Sequence, residues 1–105
     1  MWLTNEGDNI QLISNIYKKV FSYIGLAAKS RNLVSGELAT EKAIKTKKVI
    51  LVLIAEDASK NTKKKFTNKC AYYQVPLYFF GKKKELGKTI GKDIRTSIGL
   101  LDQGL

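Results

Sequence analysis

Seven consecutive aliphatic residues, Val49-Ile50-Leu51-Val52-Leu53-Ile54-Ala55, leave this chain few ways to fold. β-Branched residues and leucine dominate the run, which marks a strand. No polar residue alternates within it, so both faces of that strand must be covered, as in the interior of an α/β sheet. Three lysines (Lys45, Lys47 and Lys48) stand before it, and Glu56-Asp57 ends it abruptly.

The sequence around the run alternates helical and extended patterns. Residues 1–9 read as a loose, acidic leader. From Ile10, the residues Ile13, Ile16, Tyr17, Val20, Phe21 and Ile24 recur every three or four positions, the spacing of an amphipathic helix with one buried stripe. Lys29, Ser30, Arg31 and Asn32 form a basic connector, and Leu33-Val34 a very short strand. Ser35-Gly36 starts a second helix with Leu38, Ala39, Ala43 and Ile44 on its inner face. After the central strand, Ser59 or Asn61 caps a third helix that buries Phe66, Cys70 and Tyr73 and exposes Lys60, Lys63, Lys64, Lys65 and Lys69. Residues 75–80 give the next strand, with Pro76 tolerable only at its start or on an edge. Residues 82–90 give a fourth helix anchored by Leu86 and Ile90, and residues 96–101 a last short strand. At 105 residues the chain fits one domain. The expected architecture is α/β: a three-layer α/β/α sandwich around a small mixed sheet of about four strands, spanning residues 10–105.

Charge narrows the function. The chain holds 19 Lys and Arg against 9 Asp and Glu, a net charge of +10, which points to a polyanionic partner. Lysine outnumbers arginine seventeen to two, favouring point-charge contacts to phosphates over bidentate base reading. Histidine is absent, which removes His-based triads and His-ligated metal sites. Cys70 is the sole cysteine, so neither an internal disulfide nor a Cys-cluster zinc site can form. The first six residues lack the basic-then-apolar order of a signal peptide, and no apolar run reaches the ~20 residues of a membrane span. The expected setting is a reducing cytoplasm.

Three motifs invite a chemical reading, and each has a plainer one. Gly87-Lys88-Thr89 copies the end of a phosphate-binding P-loop, but five residues instead of four separate Gly81 from Gly87, and Leu86 and Ile90 place the tripeptide inside a helix. Glu56 and Asp57 stand where α/β enzymes place catalytic carboxylates. With no second acidic cluster to complete a site, they read as strand terminators that favour the next helix N-terminus. Cys70 lies on an apolar stripe and reads as a core residue. No catalytic residue, metal site or cofactor is expected.

Several segments are familiar together. Gly25-Leu26-Ala27-Ala28-Lys29, Leu33-Val34-Ser35-Gly36 and Lys42-Ala43-Ile44 resemble the opening of the kink-turn-binding ribosomal protein superfamily (archaeal L-seven-Ae and its relatives). The stretches 52–59, Asn61 to Lys65, Lys69-Cys70, 75–77, 84–88 and 90–92 continue in register and look like the small bacterial branch called YlxQ-like. The likeness covers roughly residues 10–101.

The resemblance implies a non-enzymatic, ribosome-associated protein that binds structured RNA, ribosomal RNA above all. Members bind with the start of the second helix and the loop before the last strand. That implies RNA contacts from Gly36, Glu37, Leu38 and Lys42 and from Ile94, Arg95, Thr96 and Ser97, with the nearby cations Lys29, Arg31 and Lys45 added. Archaeal members carry Asn-Glu two residues after the motif glycine, where the pair reads the sheared G·A steps of the kink. Leu38 and Ala39 stand there in this chain, which implies binding through phosphate and shape with reduced base specificity. Ribosomal or translation proteins are further expected partners, a membrane is not, and the protein is expected to be a monomer. The alternative from another class is a non-catalytic protein-interaction module on the same fold, whose lysines keep it soluble.

Overall fold

A computed structural model describes residues 6–102. Helix α1 (Glu6–Lys29) is followed by β1 (Leu33–Ser35), α2 (Glu37–Lys45), β2 (Val49–Ile54), α3 (Lys60–Tyr73), β3 (Leu77–Phe79), α4 (Lys83–Thr89) and β4 (Ser97–Leu101). The sheet order is β1-β4-β2-β3. β2 runs parallel to β3 and antiparallel to β4, which is also antiparallel to β1. Helices α1 and α4 pack together, as do α2 and α3, giving the expected α/β/α layering.

The aliphatic run becomes one of the two inner strands. Val52, Leu53, Ile54 and Ala55 are all buried and form the centre of the core with Ile24, Ile44, Phe66, Leu86 and Ile98. Ile50, near the strand's start, is half exposed, so full coverage holds only for its second half. β3 is an edge strand and begins just after Pro76, whose carbonyl accepts the Val52 N–H at 2.9 Å. Ser59 caps α3 by accepting the Thr62 N–H at 3.1 Å, and Gln74 closes the helix in a left-handed conformation.

Three expectations need correction. The spacing starts α1 at Ile10, but the helix begins at Glu6, so residues 6–9 are helical and not a leader; residues 1–5 lie outside the described residues. The apolar stripe of α1 is buried only at its C-terminal end, because the helix overshoots the sheet and Ile10, Ile13 and Ile16 meet no core. In α2 the inner face is Thr40, Ala43 and Ile44. Leu38 is 85% exposed and Ala39 is exposed too, because the first turn of α2 extends past the sheet edge.

Two glycines allow close approaches. A Cβ on Gly99 would sit 2.8 Å from Val49 Cγ1 and 3.1 Å from Val34 Cγ2. A Cβ on Gly87 would come within 2.5 Å of the Asp93 carbonyl oxygen, a backbone atom that cannot swing aside.

Cys70 is 2% exposed, and burial pushes its thiol up from an ordinary value near 9 to about 11. It should therefore resist an added thiol reagent at pH 8 in the folded protein and react at once after denaturation. Cys70→Ala should cost about 1 to 2 kcal/mol through lost packing, read as a lower denaturation midpoint; rapid labelling of native protein would contradict the burial. Gly87→Ala should destabilise by a comparable or larger amount, because the loop carrying Asp93 must move.

Candidate nucleic-acid interface

Strands β1, β2 and β3 all end at one edge of the sheet, where the antiparallel β4 begins. Gly36 lies at that edge between β1 and α2, with φ 91° and ψ 157°. No atom crowds the position of its absent Cβ, so the demand for glycine there is one of backbone conformation. The Gly36 N–H donates to the Ser97 carbonyl at 3.0 Å, which pins the start of α2 to the start of β4. With glycine at the N-cap, no side chain caps the helix. The first-turn amides and the positive end of the helix dipole therefore face outward.

The loop before β4 is braced on three sides. Lys92 N–H donates to the Gly87 carbonyl at 2.7 Å, and Arg95 N–H to the Lys83 carbonyl at 3.0 Å. Ala55 N–H donates to the Thr96 carbonyl at 2.9 Å. The absent side chain at Gly87 lets residues 93–94 lie directly on α4. The Arg95 guanidinium then crosses to β1, with Nε donating to Ser35 Oγ at 3.0 Å and Nη1 to the Ile94 carbonyl at 2.8 Å.

Between these elements lies an open depression of about 500 Å³. Gly36, Glu37, Leu38, Ile94, Arg95 and Thr96 line it, together with Ser35 and Ala39. Two exposed aliphatic side chains, Leu38 and Ile94, thus flank backbone amides and one guanidinium. Such a surface can hold an anionic oxygen at the helix start and cover an apolar planar group beside it.

The remaining candidate residues are dispersed. Ser97 is fully buried, so it acts through its carbonyl from beneath the depression and offers no side chain to a ligand. Lys42 is exposed and lines a different hollow with Lys48 and Leu101. Lys29, Arg31 and Lys45 do not join the depression. They stand towards the opposite edge, where Leu101 N–H donates to the Asn32 carbonyl and Asp102 N–H to the Lys48 carbonyl.

Sequence reasoning missed a pair of lysines. Lys65 on α3 reaches Glu41 Oε1 at 2.7 Å and Glu37 Oε1 at 3.2 Å, and Lys69 reaches Glu41 Oε2 at 3.5 Å. The hydrogen bond from Lys65 holds Glu41 below the usual carboxylate range, and the same contact raises the Lys65 ammonium. These lysines neutralise two carboxylates on the helix that borders the depression. The partners are 28 residues apart or nearly so, and no local pattern signals such a contact.

The acidic pair after β2 serves structure. Asp57 Oδ1 accepts the Lys83 N–H at 2.8 Å and so caps α4, not the helix that follows it in sequence. Glu56 accepts the Tyr17 hydroxyl at 2.9 Å and pairs with Lys82 at 3.6 Å, fastening α1 to the loop after β2. Gly87, Lys88 and Thr89 lie within α4 or at its end, not in a phosphate-wrapping loop. Among the described residues no group of His, Cys, Asp or Glu could hold a metal ion, and no helix is long and apolar enough to cross a membrane.

Comparisons with known proteins agree with this fold. Residues 18–104 match the ribosomal protein L7Ae/L30e/S12e/Gadd45 family. The chain is 45% identical over 84 residues to the RNA-binding protein YlxQ of Bacillus subtilis, covering 80% of this chain and 84% of that one. It is 39% identical over 87 residues to the RNA-binding protein YlxQ of Enterococcus faecium, covering 83% and 84%. Among solved structures, a Bacillus halodurans protein of unknown function superposes with a TM-score of 0.76 at 43% identity, over 80% of this chain and 85% of that one. The 15.5 kD RNA-binding protein of Giardia lamblia shares the fold, with a TM-score of 0.70 at 20% identity over 97% and 80%. With most of its length matched in sequence and in fold, this chain belongs to the ribosomal protein L7Ae/L30e/S12e/Gadd45 family, as a YlxQ-like member of it.

Proposed function

We propose that this protein binds structured RNA without catalysing any reaction, and that the depression between the start of α2 and residues 94–96 is its RNA-binding surface. One observation carries the reading: an uncapped helix start and an arginine-bearing loop are hydrogen-bonded into a single edge through Gly36, Ser97, Arg95 and Ser35. Membership of the family and the two relatives named as RNA-binding proteins support RNA as the polyanion. The finer reading is a kink-turn-type site in ribosomal RNA, used in the cytoplasm as part of a ribonucleoprotein. Phosphate oxygens meet the α2 amides in the depression and Lys42 in the adjoining hollow, which shares Ala39 with it, while Leu38 and Ile94 cover an unstacked base. Exposed Leu38 and Ala39 supply no hydrogen bonds to base edges, so selection rests on backbone shape more than on sequence.

Lys42→Ala should weaken binding to a kink-turn RNA by about 1 to 2 kcal/mol, the scale of a charge-assisted contact, measured by filter binding or fluorescence anisotropy. Lys63→Ala should change affinity little at physiological salt, since that side chain lies over the Phe79 ring on β3. A larger loss from Lys63 than from Lys42 would put the RNA on another face. The double substitution Leu38→Asn with Ala39→Glu replaces exposed side chains, so the protein should stay folded while its preference for a kink-turn over a plain duplex rises. A folded double variant with unchanged preference would sink the claim that these two positions govern base reading. If about six cations contact phosphates, affinity should fall roughly a thousandfold between 50 and 200 mM salt. A flat salt titration would contradict phosphate binding.

A further inference from the structure

The sheet edge opposite the depression gathers positive charge from three helices. β1, β2 and β3 all begin there, so the ends of α1 and α2 lie along it with their connectors, Lys29 to Asn32 and Lys45 to Lys48. The end of β4 ties the two connectors together. Leu101 N–H donates to the Asn32 carbonyl and Asp102 N–H to the Lys48 carbonyl, each at 2.9 Å. The end of α4 joins them, since Lys88 and Thr89 share a hollow of about 410 Å³ with Gly25 and Lys29.

Lys29, Arg31, Lys45, Lys47, Lys48 and Lys88 are all exposed on this rim. Among the described residues Asp102 is the acid that stands with them, while Lys92 and Asp93 beside α4 offset each other. The surplus of five positive charges exceeds what the helices need. Each helix C-terminus presents about half a negative charge, so the ends of α1, α2 and α4 answer about a third of it. Glu37 and Glu41, the acids of α2, are held nearer the start of that helix by Lys65 and Lys69. A rim so rich in lysine fits a phosphate backbone.

An aromatic pair borders the rim. The contacts of Lys65 and Lys69 to Glu41 set the register of α2 against α3, and one turn further on Lys45 comes level with Tyr72 and Tyr73. Tyr72 is 79% exposed, and Tyr73 meets its ring edge-on with centroids 4.8 Å apart. Tyr72 also lines a hollow with Asn68 and Lys69. Lysines beside an exposed ring make a surface for a single strand, with a base stacked on the ring and phosphates on the cations. A nucleotide uses both features at once.

We propose that this rim is a second RNA contact, which takes a single-stranded segment while the depression holds a folded one, so that one protein molecule joins two RNA segments. The proposal rests on the RNA-binding reading of the depression. Tyr72 stacks a base, Lys45, Lys47 and Lys48 meet the flanking phosphates, and Arg31, Lys29 and Lys88 continue the track around the end of the sheet. The six residues of β2 separate the two surfaces by about 20 Å. That exceeds the ~8 Å over which charges are felt at physiological salt, so the two RNA segments do not repel each other from the protein.

A two-RNA capture assay tests this. Kink-turn RNA is immobilised, loaded with the full chain, washed, and exposed to a labelled oligouridine strand at physiological salt. The strand should be retained only where protein is loaded. Lys45→Glu with Lys48→Glu should cut retention by roughly tenfold or more and Tyr72→Ala by about fivefold or more, with kink-turn affinity unchanged in both. Lys18→Glu with Lys19→Glu makes the same charge change on exposed positions of α1 next to Tyr17, which lies against Phe80 at the other edge. That variant should retain the strand as the wild type does. If the protein does not load onto kink-turn RNA, the reading of the depression and this proposal fall together. If it loads and the strand washes through, the second contact is overturned and the first stands. Equal losses in the two double variants overturn the proposal as an effect of net charge. A matching loss of kink-turn affinity in the rim variants overturns it too, because one RNA then occupies both surfaces. So does capture of phosphatidylserine vesicles, and not of the strand, by the same rim.

Discussion

The insertion of β4 between β1 and β2 is the interaction on which the rest of the structure depends. It joins residues 33–35 to the strand that follows them by fourteen positions, although those two segments never pair with each other. It also sets the functional edge, because the carbonyls of Thr96 and Ser97 receive the N–H groups of Ala55 and Gly36. The bare face of Gly99 lets Val34 and Val49 close over the same strand. Remove this strand and the start of α2 loses its anchor, the 94–96 loop loses its footing, and the core loses Ile98 and Leu100.

Much of this was legible in the sequence because it is local. An unbroken aliphatic run gave the central strand, three- and four-residue spacing gave the helices, and Ser59 gave the α3 cap. What escaped reading depends on where elements end relative to one another. Leu38 looks like a core residue from its spacing, but the first turn of α2 overhangs the sheet and turns it into surface. The stripe of α1 looks buried throughout, but the sheet is too narrow to cover it. Asp57 caps a helix 26 residues away, and Lys65 crosses from α3 to Glu37 on the neighbouring helix α2; neither contact leaves a trace in neighbouring residues. The depression itself was reached through resemblance to a family, since spacing alone cannot bring Gly36 beside Arg95. Ser97, which the resemblance includes, has its side chain sealed in, and the added cations Lys29, Arg31 and Lys45 stand towards the other edge.

Electrostatics gives the molecule an orientation. Lys65 and Lys69 cancel Glu41 and Glu37, so the helix bordering the depression presents no uncompensated acid from that pair. These contacts are partly exposed, and each is worth little in stability on its own. Their consequence is for the potential at the edge, where a polyanion would otherwise meet two carboxylates. Residues 1–17, outside the family match, carry two acids and no basic side chain.

Amide chemical-shift mapping on addition of a kink-turn RNA tests the central claim most directly. The account predicts that the largest shifts fall at residues 36–39 and 94–96, with Lys42 next, and that α3, β3 and the connector at Lys29 and Arg31 change little. Shifts centred on the exposed face of α3, or on Lys29, Arg31 and Lys45, would contradict it.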